Sequence, residues 1–502
     1  MKLSSGEFSG GAADSQARPN IVLICSDQHR ADAMGCAGDP TVITPNLDWL
    51  AKESVRFEQC CSNGPLCLPA RNSLITGQYI NQHGQWGIQS TGADPHSQSH
   101  VRNVRDAGYE TLIFGKTHFE PFVAQSKGSV EDEVEHLKTW GYTYIDYVSG
   151  GCGRDIEGNT YEDYLKRKGL YHVIKEHFAK NNFRNGPTPI PLEDTPDAYF
   201  AAKAAEWLRT YDGRKPFYMQ VNLPGPHAPY DAPQEFLDLY PLDTLPLPKT
   251  MDRPCPPVPS YISSTQMTPE ECRKERQLYY AKVTMVDRCL GMVLDALNKT
   301  GLLERTWVIY TSDHGEMLGD HQMTGKEVFF RGSVNVPLMI RPPEGVVGWT
   351  SRGLTETVDL SATIIDLAGA KPLEESDGKS LIPMVKAGAD SPVGQQGKEA
   401  VFSELVRYSM VYDGRYKLVV RTLTRESMEL YDTLEDPDEK HNLARDESLE
   451  PVRKRLIDIY ISRLTARADM DMLRQVDAAN IVGPGGTTGV NGTNPFDVYL
   501  PK

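Results

Sequence analysis

Apolar segments of strand length alternate with helical patterns through residues 18–390. This order is typical of a parallel sheet covered by helices, because parallel strands need long, usually helical, crossover connections. Five segments have the composition of buried strands: residues 21–26, 111–115, 216–223, 307–312 and 336–340. The sequence therefore predicts an α/β fold with a large mixed, mostly parallel sheet sandwiched by helices.

Helical patterns occupy residues 45–53, about 275–298, and 358–368, where Gly369 ends the pattern. Two stretches lack a regular pattern, namely residues 120–200, which are charged and locally rich in glycine, and the proline-rich residues 224–260. Both follow strand ends, so we expect them to be insertions that shape the mouth of a site.

The pattern changes near residue 390. Short strands at 400–405, 416–421 and 429–431, followed by a helix near 450–467, predict a small C-terminal α+β subdomain over residues 391–475. We expect residues 1–17 to be a disordered arm. Residues 476–502 are rich in Gly, Asn and Pro and form a tail that is either disordered or docked on a neighbouring subunit of a homo-oligomer.

Polar side chains follow four of the predicted strands, and strand ends of one parallel sheet share an edge where ligands bind. Singly, an Asp after a strand is more often a turn or cap residue, but together these groups have complementary chemistry. They are Asp27 and Gln28, then Lys116 and His118, then His227, and finally Asp313 and His314.

A divalent cation fits this set of oxygen and nitrogen ligands, which is Asp27, Gln28, Asp313 and His314. Mostly oxygen ligands favour a hard ion, Ca²⁺ first, while the histidine and the amide leave Mn²⁺ or Mg²⁺ open. Positive charge for an anionic substrate comes from Arg71, Lys116 and Lys326. His118 and His227 can transfer protons near neutral pH.

Cys67 precedes a short helical pattern with Pro69 in the first turn and Gly77 after its last residue. The backbone N–H groups at a helix N-terminus favour anions, and a thiol there has a depressed pKa. The alternative is a buried structural cysteine.

The segment Cys67-Leu-Pro69-Ala-Arg71, with Thr76-Gly77 after it, resembles the C-x-P-x-R signature of formylglycine-dependent sulfatases of the alkaline-phosphatase superfamily. Further similar segments follow in order over roughly residues 19–445. They are Pro19 to Asp27, Gly115-Lys-Thr-His118, Ser312 to Glu316 with Gly325-Lys326, and Leu430 to Leu443.

The resemblance implies that a formylglycine-generating enzyme oxidises Cys67 and that the hydrated aldehyde is the nucleophile. It implies that this residue, with Asp27, Gln28, Asp313 and His314, holds the cation. Arg71, Lys116 and Lys326 would neutralise the sulfate oxygens. His118 would take a proton when sulfate is released, and Lys326 or His227 would protonate or stabilise the leaving oxygen.

Gln28 follows Asp27 where many relatives have a second Asp, a form that resembles choline sulfatases, some arylsulfatases and phosphonate monoester hydrolases. Lys116 and His118 favour a sulfatase acting on a small sulfate ester, because those phosphonate hydrolases lack them. The alternatives are a phosphonate monoester or phosphodiester hydrolase with the same site, and a non-catalytic binding protein. The Asn that some relatives carry about twenty residues after the nucleophile has no match near Gly87.

The net charge of −15 argues against a nucleic-acid partner, which would need excess Lys and Arg. No segment has the roughly 20 apolar residues that span a bilayer, and residues 1–20 lack a signal-peptide pattern. With nine cysteines and no disulfide framework, we expect a cytoplasmic protein. Other polar residues near the motifs are interpreted as structural (Glu316, His321, Arg331) or left undecided (His29, Arg30, His83).

Overall fold

A computed structural model describes residues 18–87, 94–119, 130–148, 159–180, 186–251 and 267–468, with residues 471 and 474. The predicted arm 1–17 and tail 476–502 lie outside the described residues. The main sheet has nine strands in the order β4-β3-β5-β1-β6-β7-β2-β8, with β9 paired to β2. Its strands are β1 (Asn20–Asp27), β2 (Val55–Cys61), β3 (Glu110–Lys116), β4 (Tyr144–Val148), β5 (Phe217–Pro226), β6 (Thr306–Ser312), β7 (Asn335–Arg341), β8 (Trp349–Ser351) and β9 (Thr355–Glu356).

The predicted fold class is confirmed, and all five predicted strands are present as β1, β3, β5, β6 and β7. The central strand β1 is buried along its whole length and pairs in parallel with β5 and β6. Among the described strands of this sheet, only β7 reverses direction, pairing antiparallel with β6 and β2. The sheet is therefore mixed and mostly parallel.

Helices cover both faces of the sheet. Val22 and Ile24 of β1 point into a core shared with the helices Pro196–Thr210 and Pro269–Lys299, whereas Ile21 and Leu23 point into a core on the other face. The α-helices are Pro45–Lys52, Cys67–Thr76, Ile80–His83, His100–Asp106, Val130–Trp140, Thr160–Arg167, Tyr171–Lys180, Pro196–Thr210, Gln234–Leu237, Pro269–Lys299, Arg331–Val334, Asp359–Ala368, Ile382–Ala387, Pro392–Gln395, Glu450–Arg455 and Ser462–Thr465.

The predicted helices are present. The helix Pro269–Lys299 begins earlier than expected, because Thr268 and Glu271 form a capping box around a proline in the first turn. None of the described helices is long and apolar enough to cross a membrane.

The expectation that residues 120–200 lack regular structure is wrong for the described part of that stretch. It contains the helix Val130–Trp140 and the strand β4, which pairs in parallel with β3 at the edge of the main sheet. The helix carries three acidic residues in its first turn, and β4 is only five residues long. High charge and short length hide both elements from a search for apolar periodicity.

A second, antiparallel sheet forms the C-terminal subdomain, as predicted. Its four strands are consecutive, and β11 is an addition to the predicted set. A helical segment follows, in which Glu450–Arg455, the π-helical Leu456–Ile461 and Ser462–Thr465 are contiguous. The exact boundary at residues 390–391 stays a prediction. The strands are β10 (Val401–Leu405), β11 (Tyr408–Tyr412), β12 (Tyr416–Arg421) and β13 (Ser427–Asp432).

Candidate active site

The polar groups predicted to share one sheet edge lie at the carboxyl ends of β1, β3, β5 and β6. Asp27 is the last residue of β1, and Lys116 is the last residue of β3. The end of β3 lies very close to β5, and glycine at position 115 makes this possible. Gly115 has φ +94°, and a Cβ there would lie 2.0 Å from the Asn222 carbonyl oxygen of β5. The Asn222 side-chain amide donates a 2.7 Å hydrogen bond to the Lys116 carbonyl, which fixes the end of β3 against β5.

Four predicted ligand residues form one buried cluster: Asp27, Cys67, Asp313 and His314 each offer an atom, and these atoms lie within 4.8 Å of one another. Sγ of Cys67, at the first turn of its helix, is 3.1 Å from Nε2 of His314 and 3.8 Å from Oδ1 of Asp27. Nδ1 of His314 donates to the Gly315 carbonyl at 3.0 Å, so Nε2 is the ring nitrogen that faces the cluster.

Two buried cations balance these carboxylates. Arg71, one turn beyond Cys67, donates from Nε to Asp313 at 2.9 Å and from Nη2 to Asp27 at 3.1 Å. Nζ of Lys116 lies 2.5 Å from the same Asp27 oxygen. Arg71 also donates to the Lys116 carbonyl at 3.1 Å, so the guanidinium joins its own helix to the ends of three strands of the sheet. We call the helix Cys67–Thr76 the nucleophile helix, after the predicted role of Cys67.

The pKa values of the two carboxyl groups, Asp27 and Asp313, are shifted in opposite directions. Burial and the Cys67 thiolate oppose ionisation of Asp27, but Lys116, His227 and Arg71 hold its pKa well below the usual range. Burial and the neighbouring Asp27 raise the pKa of Asp313. A divalent cation would relieve the repulsion between these two acids.

The groups around residue 67 stabilise a negative charge on its side chain. Burial alone would raise the pKa of the Cys67 thiol, but Lys116, Lys326 and His314, with a hydrogen bond from His118, lower this pKa well below the ordinary value. Burial lowers the pKa of His118 to about 4 despite that hydrogen bond. His118 is therefore a neutral imidazole at physiological pH, in contact with residue 67.

Lys326 and Gln28 contact each other. Nζ of Lys326 donates to Oε1 of Gln28 at 2.5 Å. The amide nitrogen of Gln28 donates to Tyr230 at 3.2 Å and to the Glu316 carboxylate. Gln28 thus directs its oxygen towards Lys326, and its role as a cation ligand stays a prediction.

The structure adds two contacts of Gln28 that the sequence did not indicate. Glu316, interpreted as structural, is fully buried; it accepts from Gln28 and also from the backbone N–H groups of Leu318 and Gly325, so it both orients the amide and holds the loop before Lys326. Tyr230 is the second partner of Gln28. The spacing of residues in the sequence did not indicate Glu316 or Tyr230, because Gln28 is distant from both in sequence.

The undecided residues have structural contacts. His29 bonds Tyr310 and the Ala33 carbonyl, and Arg30 pairs with Asp32 and Asp320. His83 bonds Ser73 on the nucleophile helix at 2.9 Å. The prediction that His321 is structural agrees with its ring stacking on Phe330, 4.2 Å between centroids.

Comparison with known proteins identifies the family of this chain. A family model described as Sulfatase matches residues 19–370, which is more than half of the chain. The chain belongs to the sulfatase family. A second model, described as N-sulphoglucosamine sulphohydrolase, C-terminal, matches residues 319–465 of this sulfatase. The predicted family and the predicted enzyme class, a sulfuric ester hydrolase, are confirmed.

Relatives of this sulfatase include a choline-sulfatase of Rhizobium meliloti, 28% identical over 90% of this chain and 88% of that protein. An arylsulfatase of Clostridium perfringens is 28% identical over 74% and 79% of the two chains. Among solved structures, the phosphonate monoester hydrolase of Agrobacterium radiobacter superposes with a TM-score of 0.75 at 25% identity, over 90% of this chain and 96% of that one. The fold is therefore alkaline-phosphatase-like, as predicted.

Proposed function

We propose that this sulfatase hydrolyses a small sulfate monoester with a formylglycine made from Cys67, beside one divalent cation. The observation that carries the proposal is the position of the Cys67 side chain, inside a cluster with two carboxylates and Nε2 of His314. The proposal requires a formylglycine-generating enzyme during maturation.

The donor set fits the cation. Asp27, Asp313 and His314 would hold it together with residue 67, and Gln28 is the remaining predicted ligand. Two carboxylates among the ligands favour a hard ion, so Ca²⁺ is our first choice, with Mn²⁺ or Mg²⁺ as alternatives. When bound, the cation would lower the pKa of a nearby hydroxyl and polarise the sulfate oxygens.

The hydrated aldehyde would supply two hydroxyls on one carbon, one to displace the alcohol from sulfur and one to allow release of sulfate. Lys116, Arg71 and Lys326 supply positive charge around residue 67, where the equatorial sulfate oxygens would carry negative charge in the transition state. Since Lys116 and Arg71 are already held by Asp27, this charge is positioned before substrate binds.

Two histidines take complementary roles. His118 is neutral and touches residue 67, so it would accept the proton of the second hydroxyl. His227 lies at the end of β5, near enough to Asp27 to affect its ionisation, and would protonate the leaving oxygen together with Lys326. Nδ1 of His227 donates to the Ala228 carbonyl at 2.6 Å, which makes Nε2 the nitrogen that reaches substrate.

The domain bounds, the oligomer contacts and the cellular location are also proposals. We propose a catalytic domain over residues 18–390, a subdomain over 391–475, and oligomer contacts through the tail. The cysteines that the structure describes are all free, which supports a reducing, cytoplasmic location.

A phosphonate monoester or phosphodiester hydrolase is the second candidate, favoured by the structural match to the Agrobacterium enzyme. Steady-state kcat/KM values on 4-nitrophenyl sulfate, 4-nitrophenyl phenylphosphonate and bis(4-nitrophenyl) phosphate separate the two. We expect the sulfate to have the highest value. A sulfate value below either of the others would reverse the assignment. A non-catalytic protein would turn over none of them and bind no cation.

A further inference from the structure

The loop that carries His227 is held at its start through Asp197 and at its end through Asp231, and both carboxylates pair with one buried ammonium group, Nζ of Lys282. We define the His227 loop as residues 224–231, of which residues 224–226 are the last three of β5. We propose that Lys282 is a positioning residue that holds this loop, and with it the imidazole of His227, against the active site. The inference rests on the proposed role of His227 in protonating the leaving group.

The first contact fixes the start of the loop. The backbone N–H of Gly225 donates to Oδ1 of Asp197 at 2.7 Å, and Nζ of Lys282 lies 3.3 Å from Oδ2 of the same carboxylate. Asp197 is on the helix Pro196–Thr210, and Lys282 is on the helix Pro269–Lys299. One carboxylate therefore joins the loop backbone to two helices of the core.

The second contact fixes the end of the loop. Nζ of Lys282 lies 2.6 Å from Oδ1 of Asp231. The residue before it, Tyr230, accepts a hydrogen bond from Gln28 and packs edge-on against Tyr279, with 5.5 Å between ring centroids. His227 thus sits in a short span between two anchors that share a single cation.

The loop also lies directly on the Lys282 side chain. A Cβ at Gly225 would be 2.9 Å from Cε of Lys282 and 2.7 Å from Cγ2 of Val286. Only glycine leaves the backbone room to approach the helix this closely. A shift of Lys282 would therefore move the loop through packing as well as through charge.

A purely structural role would not need a charge at this position. The Lys282 side chain is 4% exposed and the Asp197 side chain is fully buried. Removing ions from water costs several kcal/mol each, and apolar residues of similar size are often as stable or more stable. The ion pairs of Lys282 with Asp197 and Asp231 instead fix the geometry of the His227 loop.

The test compares Lys282→Met, Lys282→Arg, His227→Ala and the double variant His227→Ala/Lys282→Met on two substrates. 4-Nitrophenyl sulfate has a leaving group that needs little protonation, whereas phenyl sulfate needs more. We expect Lys282→Met and His227→Ala each to lower kcat on phenyl sulfate about tenfold more than on 4-nitrophenyl sulfate, since general acids contribute about 10²–10⁴-fold. Lys282→Arg should restore most of the rate.

In the His227→Ala background, Lys282→Met should cause no further loss. An equal loss in both backgrounds, or the same fractional loss on both substrates, overturns the proposal. If His227→Ala shows no dependence on the leaving group, the assigned role of His227 and the proposal both fail. A wild-type protein inactive on both sulfates overturns the proposed function itself.

Asp231→Asn covers the case in which Lys282→Met does not fold, because it weakens one anchor and keeps the Asp197 pair. Its kcat should likewise fall more on phenyl sulfate than on 4-nitrophenyl sulfate, but by less than in Lys282→Met, and an equal fractional loss on both substrates contradicts the proposal. Lys274→Met, an exposed change on the same helix, is the matched control and should leave both rates unchanged. Melting temperatures report whether each variant is folded.

Discussion

Sγ of Cys67 lies 3.1 Å from Nε2 of His314, and the two residues come from different elements, a helix N-terminus and the end of β6. Lys116 and Arg71 reach the same centre from β3 and from the nucleophile helix. The arrangement concentrates buried cations around one small side chain, which is what a tetrahedral oxyanion requires.

Lys116→Met should reduce kcat by about 10²–10³-fold, because it removes a preorganised cation beside residue 67. It also leaves Asp27 with Arg71 as its remaining short ion pair, so we expect a lower melting temperature. Steady-state kinetics and thermal unfolding measure the two effects. Lys379→Met, on the partly exposed segment after the Asp359–Ala368 helix, should change neither. Near-wild-type turnover by Lys116→Met would contradict the assigned role.

His118→Ala should separate the two halves of the reaction. If His118 accepts the proton that allows sulfate to leave, the variant should release about one equivalent of 4-nitrophenol per site quickly and then turn over slowly. Rapid-mixing absorbance records this burst. His96→Ala, at an exposed position, should show wild-type kinetics. A slow first turnover in His118→Ala would place this residue in the attack step instead.

Removing divalent cations should inactivate and destabilise the protein. Asp27 and Asp313 are buried together, so chelation removes the divalent cation that would relieve their repulsion beyond what Arg71 and Lys116 do. Adding Ca²⁺ at about 100 times its Kd should restore about 2.7 kcal/mol of stability. Calorimetry with and without chelator measures the shift. The shift should shrink in Asp313→Asn and persist in Asp243→Asn, an exposed control. An unchanged shift in Asp313→Asn would remove this residue from the cation site.

His100 should make the fold sensitive to acid. Burial lowers its pKa from 6.5 to about 4, so the unfolded chain binds more protons between these pH values. The free energy of unfolding should therefore fall as pH drops from 6.5 to 4, by at most about 3 kcal/mol from this group. Denaturant unfolding over that range tests this. His100→Gln should flatten the dependence, while His96→Gln should not, and equal slopes in both would refute the assignment.

Much of the site was predictable because its residues follow strand ends and motif spacing. Asp27, Lys116 and Asp313 each come directly at the end of a strongly apolar strand, so the topology of a parallel sheet brings them together. Cys67 lies at the start of its helix, as Pro69 and Gly77 indicate.

The rest depended on contacts between residues distant in sequence. Glu316 acquires its role from Gln28, and Lys282 from Asp197 and Asp231, none of which is marked by spacing. The strand β2 alternates charged and apolar residues irregularly and has a bulge against β7, so apolar periodicity missed it. Such elements are specified by their neighbours more than by their own sequence.

Position 67 offers the most direct test. The measurement is the mass of the proteolytic peptide containing residue 67, from protein produced together with a formylglycine-generating enzyme and active on 4-nitrophenyl sulfate. We predict an aldehyde, or its hydrate, in place of the thiol, in proportion to the activity of each preparation. A fully active preparation in which residue 67 is an unmodified cysteine would contradict the account.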